Sequence, residues 1–219
     1  YGRMIALDKS DNAYVAGVLP WSAMTLTKYS PTGATLWQRS FSNPGTGVRP
    51  SWVAVDSAGN AIVTGSIVRV DGLNPFGRIV LKYDAAGTLL WQEVITRQGI
   101  GTARVVTDAA NNVYVLGNGL SELDNITMKY APDGRRLWQR TGNGPVSFST
   151  AMALTPAGQL IIAGNVLLQG TVAAYDAAGT QIWSKSTPAT TVLDIAVAPS
   201  GGYYVAGAAY ANPGVAAFS

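Results

Sequence analysis

Apolar runs of three to five residues, each closed by a cluster of Asp, Asn or Gly, succeed one another from Ile5 to Phe218. Val53-Ala54-Val55 leads into the turn 56–60 and back out through Ala61 to Gly65. Ile79 to Tyr83 leads into 84–88 and back out through Leu89 to Trp91. Short apolar runs joined by residues that accept positive φ are the signature of tight β-hairpins. No stretch sustains the 3.6-residue apolar period of an amphipathic helix, which excludes helical repeats. The chain is predicted to be all-β.

The hairpins repeat. The first kind turns at Asp8, Asp56, Asp108, Thr155 and Ala198, and a glycine follows nine positions later each time, at Gly17, Gly65, Gly117, Gly164 and Gly207. The second kind recurs as Tyr29, Gly33, Trp37; Tyr83, Gly87, Trp91; Tyr130, Gly134, Trp138; and Tyr175, Gly179, Trp183. Successive first turns lie 43 to 52 residues apart. A four-stranded sheet of that length buries its faces only by stacking on its neighbours, as a β-propeller blade does. We therefore expect one β-propeller domain over residues 1–219, with four complete blades of four antiparallel strands (about 4–48, 49–100, 101–147 and 148–190). Three strands of a fifth blade follow over 191–219.

Naming the strands of each blade A to D, antiparallel succession puts the A–B and C–D turns at one end of the sheet and the B–C and D–A connections at the other. The first end is uniform. At the second, the interval from marker glycine to tyrosine runs 12, 18, 13 and 11 residues. Variable connections on a repeated scaffold are where binding is usually grafted, so this end is the expected partner face. The fifth repeat stops after its third strand, at Val215 to Phe218. That leads us to expect a piece of a longer chain, the reading we favour, or an edge left open, or an edge that pairs with a partner's strand.

DSAGNAIVTG followed by LKYDAAGTLLW resembles the bacterial β-propeller repeat family often called SBBP, and the YDAAG..LW half is similar to the tryptophan-docking motif of quinoprotein propellers. The likeness spans Ile5 to Phe218. It implies a propeller module of a bacterial secreted, periplasmic or cell-surface protein.

Within the repeat, Trp37, Trp91, Trp138 and Trp183 keep a fixed distance from a turn glycine, which predicts indoles docking between blades rather than a sugar-stacking series. Trp21 and Trp52 fall outside that register, on the variable end, and Tyr210 and Phe76 fall in equivalent connections. Exposed aromatics of this kind are what a protein or glycan partner stacks on. One repeat position, four residues before each first turn, holds Met4, Trp52, Arg104, Ala151 and Asp194. Five chemistries at one place, expected near the mouth of an axial channel, make Met4, Trp52, Arg104 and Asp194 candidate ligand contacts.

Composition then narrows the chemistry. The chain has no Cys and no His, which removes thiolate and imidazole nucleophiles, bases and metal ligands. Its net charge of +3 comes from 15 Lys and Arg spread without a basic run, which argues against a nucleic-acid partner. No apolar run approaches the roughly 18 residues of a membrane span. Asp8, Asp11, Asp56, Asp84, Asp108, Asp133 and Asp176 belong to turns, leaving Asp71, Glu93, Glu122, Asp124 and Asp194. Nothing in their spacing marks a glycosidase pair or a calcium loop. No catalytic residue, metal or cofactor is assigned, and the expectation is a non-enzymatic interaction or scaffold module. A lectin-like glycan binder using Trp21, Trp52 and Tyr210 is the first alternative. The second is a propeller hydrolase or lyase in which Asp194, Arg104, Glu122 and Asp124 converge.

Overall fold

The computed structural model of the chain describes residues 2–19, 23–69, 75–96, 103–118, 125–142, 146, 148–208 and 213–218. Among these every regular element is a strand. The first sheet joins β1 (Gly2–Leu7), β2 (Ala13–Val18), β3 (Met24–Tyr29) and β4 (Thr35–Phe41) in that order. The second joins β5 (Thr46–Val55), β6 (Ala61–Arg69), β7 (Pro75–Tyr83) and β8 (Leu89–Thr96), and the third β9 (Ala103–Thr107), β10 (Val113–Asn118), β11 (Asn125–Tyr130) and β12 (Arg136–Gly142). The fourth joins β13 (Phe148–Leu154), β14 (Leu160–Val166), β15 (Gln169–Tyr175) and β16 (Gln181–Ser186). The fifth has three strands, β17 (Thr191–Val197), β18 (Tyr203–Ala208) and β19 (Pro213–Phe218).

The turns explain why the hairpins close where they do. In the turn from Asp8 to Asn12 the Asp8 amide donates to the Asn12 carbonyl and the Asp11 amide to the Asp8 carbonyl; the turns at Ser30, Asp56, Asp84, Asp108, Ala131, Thr155, Asp176 and Ala198 repeat the pattern. The fourth residue of each sits at positive φ: Gly in most, Asp11 (59°) and Asn111 (62°) in two. Those two types tolerate the left-handed region better than other residues with a side chain. Where the first residue is Asp, its carboxylate accepts from the amides two and four positions on, as Asp56 does from Ala58 (3.0 Å) and Asn60 (2.9 Å).

The chain forms two compact units, residues 1–120 with 129–137, and residues 121–128 with 138–219. In the first unit Tyr14, Leu26, Val53, Val63, Ile79 and Leu81 form a core between the first two sheets. In the second, Ile161, Val172, Val192, Tyr203 and Val205 do the same between the fourth and fifth. The inner strands are buried on both faces: all of Ala61 to Val68 is buried, and so is Leu160 to Asn165. Such strands read as unbroken apolar runs because neither side meets water. The fourth strands β4 and β16 are the reverse. In β4 and β16 the positions outside the indoles and Phe41 are exposed.

Three buried ion pairs brace the first unit. Lys82 Nζ lies 2.9 Å from Asp56, Lys28 3.3 Å from Asp8 and Lys129 3.8 Å from Asp108. Lys28 and Lys129 also sit over the rings of Tyr14 and Tyr114, each at 4.8 Å. Burial alone raises the pKa of Asp8, but hydrogen bonds from the Asn12 side chain, the Asn12 and Ser10 amides and Lys28 outweigh it and bring the value down to about 2. Asp56 is lowered in the same way, by Asn60 and Lys82 against burial. These acids ionise more readily folded than unfolded, so their contribution is complete above the unfolded value near 3.8 and is lost as pH falls through the folded one. Thermal melting is therefore expected to show a Tm that drops steeply between pH 4 and 2, with a shallower drop for Asp8→Asn. A Tm flat across that window in the native chain contradicts the assignment.

Candidate functional site

Strand A of four of the repeats carries an irregularity just before the candidate position. In the first, second, fourth and fifth sheets the pairing with strand B slips between Gly2 and Met4, Pro50 and Trp52, Ser149 and Ala151, and Val192 and Asp194. A bulge adds one residue to one strand and re-aims the side chain that follows it. In the third sheet Arg104 pairs with Leu116, the register position that Trp52 takes opposite Thr64.

Trp52 and Arg104 come together. The Arg104 guanidinium carbon lies 4.4 Å from the centre of the Trp52 ring, with both side chains half-buried. A guanidinium at this distance gains from the ring's quadrupole and covers one face of the indole. Met4 is half-buried and packs against the core between the first two sheets, and Ala151 is fully buried. Asp194 is exposed in the second unit, where its carboxylate accepts from the Ile195 amide at 3.0 Å. Trp21, Tyr210, Glu122, Asp124 and Asp71 lie outside the described residues, as does the side chain of Phe76.

The register tryptophans lie on glycines. Trp37 donates from Nε1 to the Ala85 carbonyl, Trp91 to that of Pro132 and Trp138 to that of Ala177, each at 3.0 Å. Each indole rests on the turn glycine beyond, Gly87, Gly134 or Gly179. Trp183 stacks instead on Tyr203, with ring centres 5.5 Å apart. All four are half-buried.

The second unit offers an apolar feature that the residue pattern conceals. Leu167 and Leu168 form the two-residue turn between β14 and β15, are 83% and 70% exposed, and Leu167 takes φ 53°. A two-residue hairpin turn favours Asn-Gly there, because a Cβ is strained in the left-handed region. The signal available in the sequence was the short interval from Gly164 to Tyr175, which leaves room for no other turn. Among the described residues no group of three or more Asp or Glu could hold a metal ion, and no helix is long and apolar enough to cross a membrane.

Solved structures of similar fold include the Dos1 propeller (TM-score 0.63, 11% identity), covering 93% of this chain and 52% of that one. A gluconolactonase from Xanthomonas campestris aligns at TM-score 0.61 and 13% identity, over 95% of this chain and 69% of the enzyme. A luciferin-regenerating enzyme aligns at 0.57 and 14%, over 93% and 69%. The chain thus spans about half the length of the Dos1 propeller. The fold is an all-β propeller of four-stranded blades. The expectation that the chain is not an enzyme needs correction, because two of these propellers are enzymes. No curated protein matches the sequence. A family model does, over residues 22–209, and its description is outer membrane protein assembly factor BamB.

Proposed function

Because the chain belongs to the family of the outer membrane protein assembly factor BamB, we propose that it is a propeller module that binds a protein partner at the bacterial envelope through the surface formed by Trp52 and Arg104 on its A strands. The likeness to SBBP repeats of surface and secreted proteins agrees with that location. The observation that carries the reading is the Trp52–Arg104 pair. Trp and Arg are the residue types that dominate the energy of protein interfaces, and a half-buried, mutually ordered pair loses little rotamer freedom on docking. Leu167 and Leu168 give the second unit an exposed apolar contact at the B–C end of its own sheet. A lectin built on Trp52 is disfavoured, because Arg104 already occupies one face of the ring on which a sugar stacks.

Photo-crosslinking residues at position 52 or 168, compared with position 9 in an A–B turn, tests this in cells. The expected result is a discrete protein adduct from 52 and 168 and none from 9. With the partner purified, Trp52→Ala is expected to weaken binding by about 30-fold, the roughly 2 kcal/mol of an interface anchor. Equal adducts from position 9, or unchanged affinity, overturn the proposal.

A further inference from the structure

Arg78, in β7, is fully enclosed, yet Nε, Nη1 and Nη2 find no hydrogen-bond partner among the described residues. It is the largest side chain buried to that degree. Buried guanidinium groups are almost always paired, because an unpaired one loses its hydration without replacement. The nearby acid does not serve it: Glu93 accepts from the Tyr130 hydroxyl and pairs with Arg136 at 3.6 Å. Burial pulls the guanidinium pKa down to about 10, against a smaller upward pull from Tyr130 and Glu93, which leaves it charged at neutral pH.

The repeat shows that packing does not require a cation here. Five residues before the strand-C tyrosine stand Met24 in the first repeat and Arg78 in the second. Both reach the marker glycine of the next sheet: a Cβ on Gly65 would meet Met24 Sδ at 3.2 Å, and one on Gly117 would meet Arg78 Nη1 at 2.6 Å. Gly117 therefore gives the guanidinium its room, as Gly65 gives the thioether its own. A thin apolar chain fills the equivalent space in the first repeat with 2% exposure. The charge at 78 is additional to what the fold needs.

We propose that Arg78 is the binding group of an internal oxyanion site, taking a carboxylate or phosphate group between β7 and Gly117. The planar fork of a guanidinium matches two oxygens of either group, and Ser66, its cross-strand neighbour in β6, is a buried hydroxyl on the same face. Because the group is enclosed, the anion enters by local opening of the β6–β7 hairpin and exchanges slowly. The site is independent of the Trp52–Arg104 reading.

Thermal unfolding of the native chain in acetate, in inorganic phosphate and in chloride, at constant ionic strength, tests it alongside Arg78→Met. The Met variant copies the first repeat and is expected to fold and to melt at the same temperature in all three salts. The native chain is expected to gain about 3–6 °C per tenfold rise in acetate or phosphate above its Kd, and little in chloride. Whichever oxyanion gives the larger gain identifies the natural group. A gain shared by the Met variant is a general salt effect and overturns the proposal, as does a native chain that responds to chloride equally or to no anion. If Arg78→Met does not fold, Arg78→Gln makes the same comparison, and the oxyanion-over-chloride difference in the native chain decides alone.

Discussion

Lys82→Ala is expected to destabilise the chain by about 3 kcal/mol and Asp56→Thr by about 4 to 5 kcal/mol, while the double variant costs at least 2 kcal/mol less than their sum. The pair is the most enclosed of the three, with side-chain exposures of 1% and 0% and a 2.9 Å contact. Removing Lys82 leaves an acid that still accepts from Ala58, from the Asn60 amide and from the Asn60 side chain. Removing Asp56 leaves a buried ammonium without its partner, which is the worse of the two. The fourth repeat shows a neutral solution. Thr155 and Ala174 replace the acid and the lysine there, and the Thr155 hydroxyl accepts from the Gln159 amide at 3.1 Å to close the turn. Urea titration of all four proteins measures the cycle through shifts in midpoint at constant slope. Strictly additive losses would show that the charges do not depend on each other.

That pair also shows how far the residue pattern carries. Strand and turn positions are legible because short apolar runs and left-handed turn residues are local properties, set within five positions, as at Asp8 to Asn12. The docking tryptophans follow from their constant distance to a glycine. The ion pairs could have been read too: Lys28, Lys82 and Lys129 accompany Asp8, Asp56 and Asp108, and where the acid becomes Thr155 or Ala198 the lysine becomes Ala174 or Ala217. Taken singly, those acids look like ordinary turn residues. Trp52 and Arg104 were legible as positions but not as a pair. Their contact joins residues in two different sheets, which no local pattern reports. Arg78 was not legible at all. An arginine in a strand normally faces water, and its enclosure depends on Gly117, 39 residues on and in another sheet.

Gly134→Ala is expected to cost about 3–5 kcal/mol, against about 1–2 kcal/mol for Gly33→Ala, although both glycines have nearly the same backbone. Gly134 sits at φ +89° and Gly33 at +84°, so a Cβ pays the same left-handed strain at either. Around Gly33 nothing lies within 4 Å of the added carbon. At Gly134 it would fall 2.6 Å from Trp91 Cγ and 2.8 Å from Cδ2, a distance that forces the indole off the turn. Lifting the ring stretches its 3.0 Å hydrogen bond to the Pro132 carbonyl and separates it from Tyr130, on which it stacks with centres 5.6 Å apart. The excess over Gly33→Ala is therefore the energy of seating one tryptophan. In a Trp91→Ala background the obstacle is gone, and Gly134→Ala should fall back to the backbone cost alone. If the two glycine substitutions cost the same in the native chain, the indoles are not what couples these sheets.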